Sequence, residues 1–446
     1  AQQNYPGVES HQKDETHGYS IDYPIWQVML WLGTTFIAGL ALSRRIKLRN
    51  RWVWLGLAAW FFLFSFQGPV YYHLMVVIII VLAGFDKDKP WRSLGVVALA
   101  SLWAGISRVN WFPVAGMLGV ALYVLEVPQD NKYFWQYWRW PILTVALGLV
   151  LAFISQAGYA AISGNPPEVF ASSFNSPLYR YRLFPNEAFG PGIINMTITA
   201  SFPLLLVIVW RLFQRLGAWK PLRSLALLSI LIALLVVGFI VSMKIGGGDN
   251  LHNMDSYLVM LAVVAAYIGF NRFVPDDPQK FSIRPLPISM VVIAFIIPLI
   301  FALDMLRPFP RFDSQRAWSD IQRIQSLINE RVGEGEEVLF IDQRHLLTFD
   351  LIKGVSLVPE YEKVFLMEMA MSGNAVYLNQ FWQDLENHRF ALIVSDPINL
   401  MIRPSTDVFG EENNVWVEMV AEPLTDSYHS ILDLHESGIS ILVPNQ

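Results

Sequence analysis

SLALLSILIALLVVGFIVSM, residues 224–243, decides the fold class. An uncharged helix of this length, at about 1.5 Å per residue, spans about 30 Å, the thickness of a bilayer's hydrocarbon core. Working outward from it, apolar runs recur at about 25–43, 52–66, 69–85, 93–107, 112–126, 141–161, 193–210, 254–270 and 286–304. Composition agrees: 15% of the 446 residues are charged and 54% hydrophobic, whereas soluble domains carry about a quarter charged. The sequence therefore predicts an α-helical polytopic membrane protein with about ten transmembrane helices. Two junctions are very short. Gln67 to His73 and Ser107 to Pro113 read as tight turns that send the chain straight back.

The apolar runs stop at Asp304, and from Pro308 and Pro310 onward the chain reads as a soluble α/β domain. Trp318, Ile321, Ile324, Leu327 and Ile328 fall at helical spacing within 314–331, with Ser314 as N-cap and Gly333-Glu334-Gly335 as the stop. The stretches 337–342 and 390–396 are buried-strand patterns on either side of a helix over 375–387, and 430–434 with 439–443 form a hairpin. Asp342 and Asp396 end the first two strands, where α/β folds bind ligands; capping of the following segment is the plainer role for each. The expected organisation is an extracytoplasmic N-terminal tail, 1–24, a transmembrane domain, 25–304, and an extracytoplasmic α/β domain, 305–446.

Charge gives the orientation. Alternate loops at 44–51, 86–92, 127–140, 211–223 and 271–284 hold 17 Lys and Arg, against five on the other side: Lys13, Arg108, Arg180, Arg182 and Lys244. The basic loops are cytoplasmic by the positive-inside rule. An N-terminus placed outside, beginning at Ala1 without a translocating segment, leads us to expect a removed signal peptide or an earlier span. Residues 305–446 carry 22 acidic and 10 basic side chains, which makes that domain a poor nucleic-acid binder, and no nucleic-acid partner is expected. The absence of cysteine rules out disulfides, zinc-thiolate sites and iron–sulfur clusters.

Polar residues on the outward side are the candidates for chemistry. In the turn 244–255, Gly246, Gly247 and Gly248 can aim backbone N–H groups at a phosphate beside Lys244. Asp249, His252 and Asp255 can bind a divalent metal ion or act as an acid/base pair. A solvated hairpin is the bland reading. Arg108, at the mouth of two short helices, must face an anion or snorkel to the interface. Arg180 and Arg182, interleaved with aromatics in the loop 162–192, suit a phosphate headgroup, and the same pattern describes an interfacial anchor; a lipid-linked phosphate would need both at once. In the tail, Glu9, His11, Asp14, Glu15, His17 and Asp22 supply possible bases, each more simply a solvated acid or imidazole.

This layout resembles the polytopic glycosyltransferases of the GT-C superfamily, which use polyprenyl-phosphate-linked sugars. Short spans joined by tight outward turns, a long outward loop and an outward C-terminal domain are shared. The stretches 107–113, SRVNWFP, and 244–253, KIGGGDNLHN, are similar to segments of bacterial members. The resemblance implies an inverting sugar transfer in a bacterial cytoplasmic membrane. A base, Asp14, Glu15, Asp22 or a residue outside this sequence, would activate the acceptor, and Arg108, Arg180, Arg182, Lys244 and Gly246 to Gly248 would hold the departing phosphate. Arg108→Ala and Lys244→Ala should then abolish transfer without loss of folding. The family places its base in a loop after an N-terminal span, and no such span precedes residue 25 here. The competing reading is a non-enzymatic subunit of a photosynthetic or respiratory complex, whose aromatic-rich span ends meet lipid or partner membrane subunits. A transporter ranks third, for want of a charge in mid-span or an inverted repeat.

Overall fold

The computed structural model describes residues 17–48, 50–129, 133–163, 177–186, 189–214, 220–244, 250–277, 285–304, 313–333, 335–404, 407 and 409–445, without the side chains of 17–25 and 304. It divides into two compact units, one of residues 27–164 and 178–308, the other built on 309–446 with 1–26 and 165–177.

The first unit is a helix bundle. Its helices are α1 (His17–Ile46), α2 (Arg51–Phe64), α3 (Tyr72–Gly84), α4 (Pro90–Gly105), α5 (Val114–Glu126), α6 (Phe134–Ser163), α7 (Ile193–Phe213), α8 (Pro221–Ser242), α9 (Asp255–Gly269) and α10 (Ile288–Asp304). A helix occupies each apolar run. Five segments among the described residues are long and apolar enough to cross a membrane: Trp26–Ile46, Val109–Glu126, Phe134–Ser163, Ile193–Phe213 and Pro221–Ser242. Three shorter apolar helices accompany them. The chain is thus mostly helical, with the stock of apolar helices that an integral membrane protein needs. The segment read as a tail runs into α1, which starts at His17, so Asp22 belongs to that helix.

Burial explains the short members. In α9 every residue from Asp255 to Ile268 is buried, the pattern of a helix enclosed on all sides. By contrast α10 exposes Ile288, Val292, Ile296, Leu299, Ile300 and Leu303, an apolar surface that the rest of the bundle leaves uncovered. Glycine brings α4, α5 and α6 together: a Cβ on Gly105 would lie 2.3 Å from the Ala152 carbonyl oxygen, and one on Gly148 3.3 Å from Gly116 Cα. Small residues allow this backbone approach where lipid supplies no hydrophobic drive.

Ion pairs fasten one end of the bundle. Arg45 of α1 donates from Nε and Nη2 to the two oxygens of Glu126 on α5, at 2.8 and 2.9 Å. Its Nη1 donates to the carbonyls of Leu82 and Phe85, capping α3. Tyr267 on α9 donates to the same Glu126 at 2.6 Å. Arg223 on α8, fully buried, donates to Asp276 at 2.9 Å and to the Val274 carbonyl. A buried fork of this kind suits Arg rather than Lys.

The second unit carries α11 (Ser314–Arg331), α12 (His345–Thr348), α13 (Lys363–Met371), α14 (Ala375–Glu386), α15 (Gly410–Trp416) and α16 (Glu422–Ser427), with strands β1 (Glu337–Phe340), β2 (Phe390–Ser395), β3 (Tyr428–Leu434) and β4 (Ile439–Pro444). The sheet order is β1-β2-β4-β3. Strands β1 and β2 are parallel, Phe340 facing Val394, and the other two pairings are antiparallel. The N-cap of α11 is Asp313, whose carboxylate accepts from Arg316 N, rather than Ser314. Two apolar cores line the sheet, one around Phe381, Phe390 and Tyr428, the other around Ile324, Phe340 and Leu392.

Candidate functional site

At the end of the bundle opposite Glu126, the turns between α2 and α3, α4 and α5, and α8 and α9 meet. Pro113 starts the fifth helix after a 3-10 turn, Val109–Trp111, which leaves Arg108 extended and free to reach sideways. Its Nη2 donates to Asn253 Oδ1 at 2.6 Å, and Nη1 stands 3.7 Å from Asp255 Oδ2. The guanidinium lies over Tyr71, 5.6 Å from the ring centre, and Tyr71 stacks on His73. Trp111, fully buried, donates from Nε1 to both oxygens of Asp255 at 3.1 and 3.0 Å. Asp255 is itself fully buried and also accepts from Ser256 N at 2.6 Å. A carboxylate in this position is tolerable only because a cation and two N–H donors surround it.

Two neighbours are less satisfied. Asn110 is 6% exposed and neither atom of its amide finds a partner, and the Gln67 side-chain oxygen is likewise buried and alone. Buried amides without partners are uncommon, and here they sit in two of the three turns that meet.

A second contact joins the loop before α7 to the end of α8. Arg182, 2% exposed, bonds to the Lys244 carbonyl and lies over the rings of Tyr179 and Tyr181. The backbone adds Tyr179 N to Met243 O at 2.8 Å. Arg182 is thereby a strut between two turns, whereas Arg180 points its side chain to solvent.

The sequence-predicted residues divide accordingly. Arg108 and Asp255 come together, as do Arg182 and the backbone of Lys244. His252 is bonded to Asn250, through both its ring and its backbone N–H. Asp14, Glu15, Gly246, Gly247, Gly248 and Asp249 lie outside the described residues, and so does the side chain of Asp22. Among the described residues no three His, Asp or Glu side chains gather as metal ligands. Arg108 faces a carboxylate with no access to water, which argues that Arg108→Ala costs stability as well as any binding role. Sequence reasoning missed Tyr71, Trp111 and Asn253 as partners, and nothing in their spacing signals them.

In the second unit Asp342 and Asp396, just past the ends of β1 and β2, share Lys363. Its Nζ donates to Asp342 at 3.1 Å and to Asp396. Lys363 opens α13 and its backbone N–H donates to Ile341 O, which fixes the side chain over the strand ends. Burial raises the Asp396 carboxyl, and hydrogen bonding with Asp342 raises it further, to about 6. Burial pushes Asp342 the same way, but hydrogen bonds from Asp396, Gln343 N and Lys363 outweigh it and hold that carboxyl low. Burial also holds the neighbouring His345 down to about 4, against the pull of Asp342. The plain role of this triad is to tie β1, β2 and α13 together.

No protein-family model, no characterised protein and no solved structure matches the chain.

Proposed function

We propose that the protein is a polytopic membrane glycosyltransferase of the GT-C type, moving a sugar from a polyprenyl-phosphate donor to an acceptor on the outer side of a bacterial cytoplasmic membrane. On this reading ten helices span the bilayer, the Glu126 end is cytoplasmic, and residues 305–446 form an extracytoplasmic α/β domain. The observation that supports it is the meeting of three turns and a loop at one bundle end, with Arg108, Arg182 and Lys244 among them. Arginine side chains drawn inward at the mouth of apolar helices are costly to place in lipid and point to a polar or anionic neighbour.

In the reaction the acceptor hydroxyl oxygen attacks the anomeric carbon, its proton passes to a carboxylate, and the bond from that carbon to the phosphate oxygen breaks with its electron pair on the phosphate. We assign the base to Asp14, Glu15 or Asp22. Arg180 and Lys244, with the N–H groups of Gly246 to Gly248, receive the phosphate charge, and Arg108 and Arg182 hold the turns in place.

The test uses the purified chain in nanodiscs, with polyprenyl phosphate carrying one labelled hexose and with polyprenyl phosphate alone. Saturable binding of both, weakened in Arg180→Ala and Lys244→Ala at unchanged melting temperature, is the expected result. Absence of saturable binding by the unaltered chain would overturn the reading.

One observation favours the second reading, a non-enzymatic subunit: the Arg108 charge is already matched by Asp255. Recovery from membranes in a fixed ratio with other subunits, together with no sugar-lipid binding, would decide for it.

A further inference from the structure

Residues 398–404 leave β2 at the carboxyl edge of the sheet and form neither helix nor strand. Leu400, Met401 and Ile402 are exposed by 49%, 67% and 53%. Single exposed apolar side chains are ordinary, but three large ones in a row mark a contact surface. The backbone beneath them is fastened at four points. Met401 N donates to Asn399 Oδ1 at 2.9 Å, and Asn413 Nδ2 donates to Met401 O at 2.7 Å. Arg403 N donates to Asn414 Oδ1, and Asn414 Nδ2 donates back to Arg403 O, both at 2.8 Å. Asn414 therefore pairs with Arg403 as a neighbouring strand would. Both asparagines belong to α15, whose later residues Val415 and Trp416 pack on the apolar core. The fold invests hydrogen bonds in keeping this trio turned outward.

The geometry points to residues 400–402 as a lipid-inserting tip that enters the interface of the bilayer holding the chain's own apolar helices, with Arg403 at the level of the phosphates. Three arguments select lipid as the occupant. First, only nine residues separate Asp304, the last of an apolar helix, from Ser314, the first of α11. At no more than about 3.6 Å per residue the tether reaches roughly 35 Å, so the unit is confined to the neighbourhood of the membrane. Second, a short apolar segment beside a cation is the composition that interfacial anchors use. Third, three partly exposed side chains fall well short of the about 800 Å² that each partner of a stable protein dimer contributes. The inference needs only that the chain sits in a bilayer, and stands or falls apart from the chemistry proposed above.

The chain has no cysteine, so Met401→Cys gives a single labelling site for an environment-sensitive fluorophore. Asn387→Cys, an exposed position just before β2 and hence at the other edge of the sheet, is the reference. Both full-length variants go into nanodiscs of phosphatidylethanolamine and phosphatidylglycerol, plain or containing lipids with a spin label at a shallow or a deep chain position. At 401 the emission should shift to the blue, and the shallow label should quench it more than the deep one, because interfacial side chains sink only roughly 5–10 Å. At 387 iodide should quench and neither lipid should. An unshifted, iodide-accessible probe at 401 would overturn the proposal. So would a blue-shifted probe that no lipid label quenches, since protein would then cover the tip.

Discussion

The Nη2 of Arg108 stands 2.6 Å from Oδ1 of Asn253, a residue 145 positions further along the chain. The same guanidinium faces the fully buried Asp255. Removing one partner of a buried pair leaves the other charge uncompensated, at a cost of about 3–5 kcal/mol. Arg108→Ala should therefore lower the unfolding midpoint in detergent markedly, and adding Asp255→Asn should restore part of it. A destabilisation that is merely additive in the double variant would show that the pair is not coupled.

The helical half was legible in the sequence because its signal is local. The run 224–243 became Pro221–Ser242, and 93–107 became Pro90–Gly105. The strands at 337 and 390 and the closing hairpin were legible for the same reason. What joins Arg108 to Asn253, or Arg45 to Glu126, leaves no periodic trace. Such pairings are set by how helices pack, and a single chain shows the ends of each pair without showing that they meet. The shift of the α11 cap from Ser314 to Asp313 is a contest between two good capping residues, which only the backbone decides.

Close helix approach gives a prediction with an internal control. A methyl group at Gly105 would press on the Ala152 backbone, whereas one at Gly95 meets nothing within 4 Å. Overpacking against backbone costs about 1–3 kcal/mol or more, and replacing an unhindered helical glycine gains up to about 1 kcal/mol. Gly105→Ala should lower the melting temperature in detergent while Gly95→Ala leaves it unchanged or raises it. Equal effects would mean that α4 and α6 are further apart than described.

The strand-end triad predicts a pH signature in the unit built on 309–446. Asp396 is raised when folded, so the folded state holds the extra proton between the ordinary carboxylate range near 4 and about 6. Its contribution to stability is full below that window and is lost as pH rises through it. Asp342 is lowered, so its contribution is present above the ordinary range and is lost as the solution becomes more acid. Melting curves between pH 4 and 6 should therefore slope downward, and Asp396→Asn should flatten the slope. Lys363→Met should lower the midpoint at neutral pH, where it leaves two adjacent carboxylates unneutralised. An unchanged slope in Asp396→Asn would assign the pH dependence elsewhere.

Arg182 tests the difference between a strut and a charge. Its guanidinium spans two tyrosine rings and a carbonyl of the neighbouring turn. Lysine keeps the charge but has neither the plane nor the fork. Arg182→Lys should raise amide hydrogen exchange across 178–184 while leaving the bundle helices protected. Unchanged exchange would mean that charge alone holds the loop.

Strand order has a consequence for the making of the protein. The third position of the sheet belongs to β4, residues 439–444, while its neighbours β2 and β3 are both synthesised before it. Until those six residues emerge, β2 presents a bare edge and β3 has nothing to pair with. The unit is therefore denied a native sheet during nearly all of its synthesis. It must complete the sheet in one late step, in which a hairpin that forms quickly from neighbouring residues docks against a β1–β2 pair assembled across a long loop. A nascent chain arrested a few residues short of β4 would expose Ile393 and its neighbours to any protease or chaperone it meets.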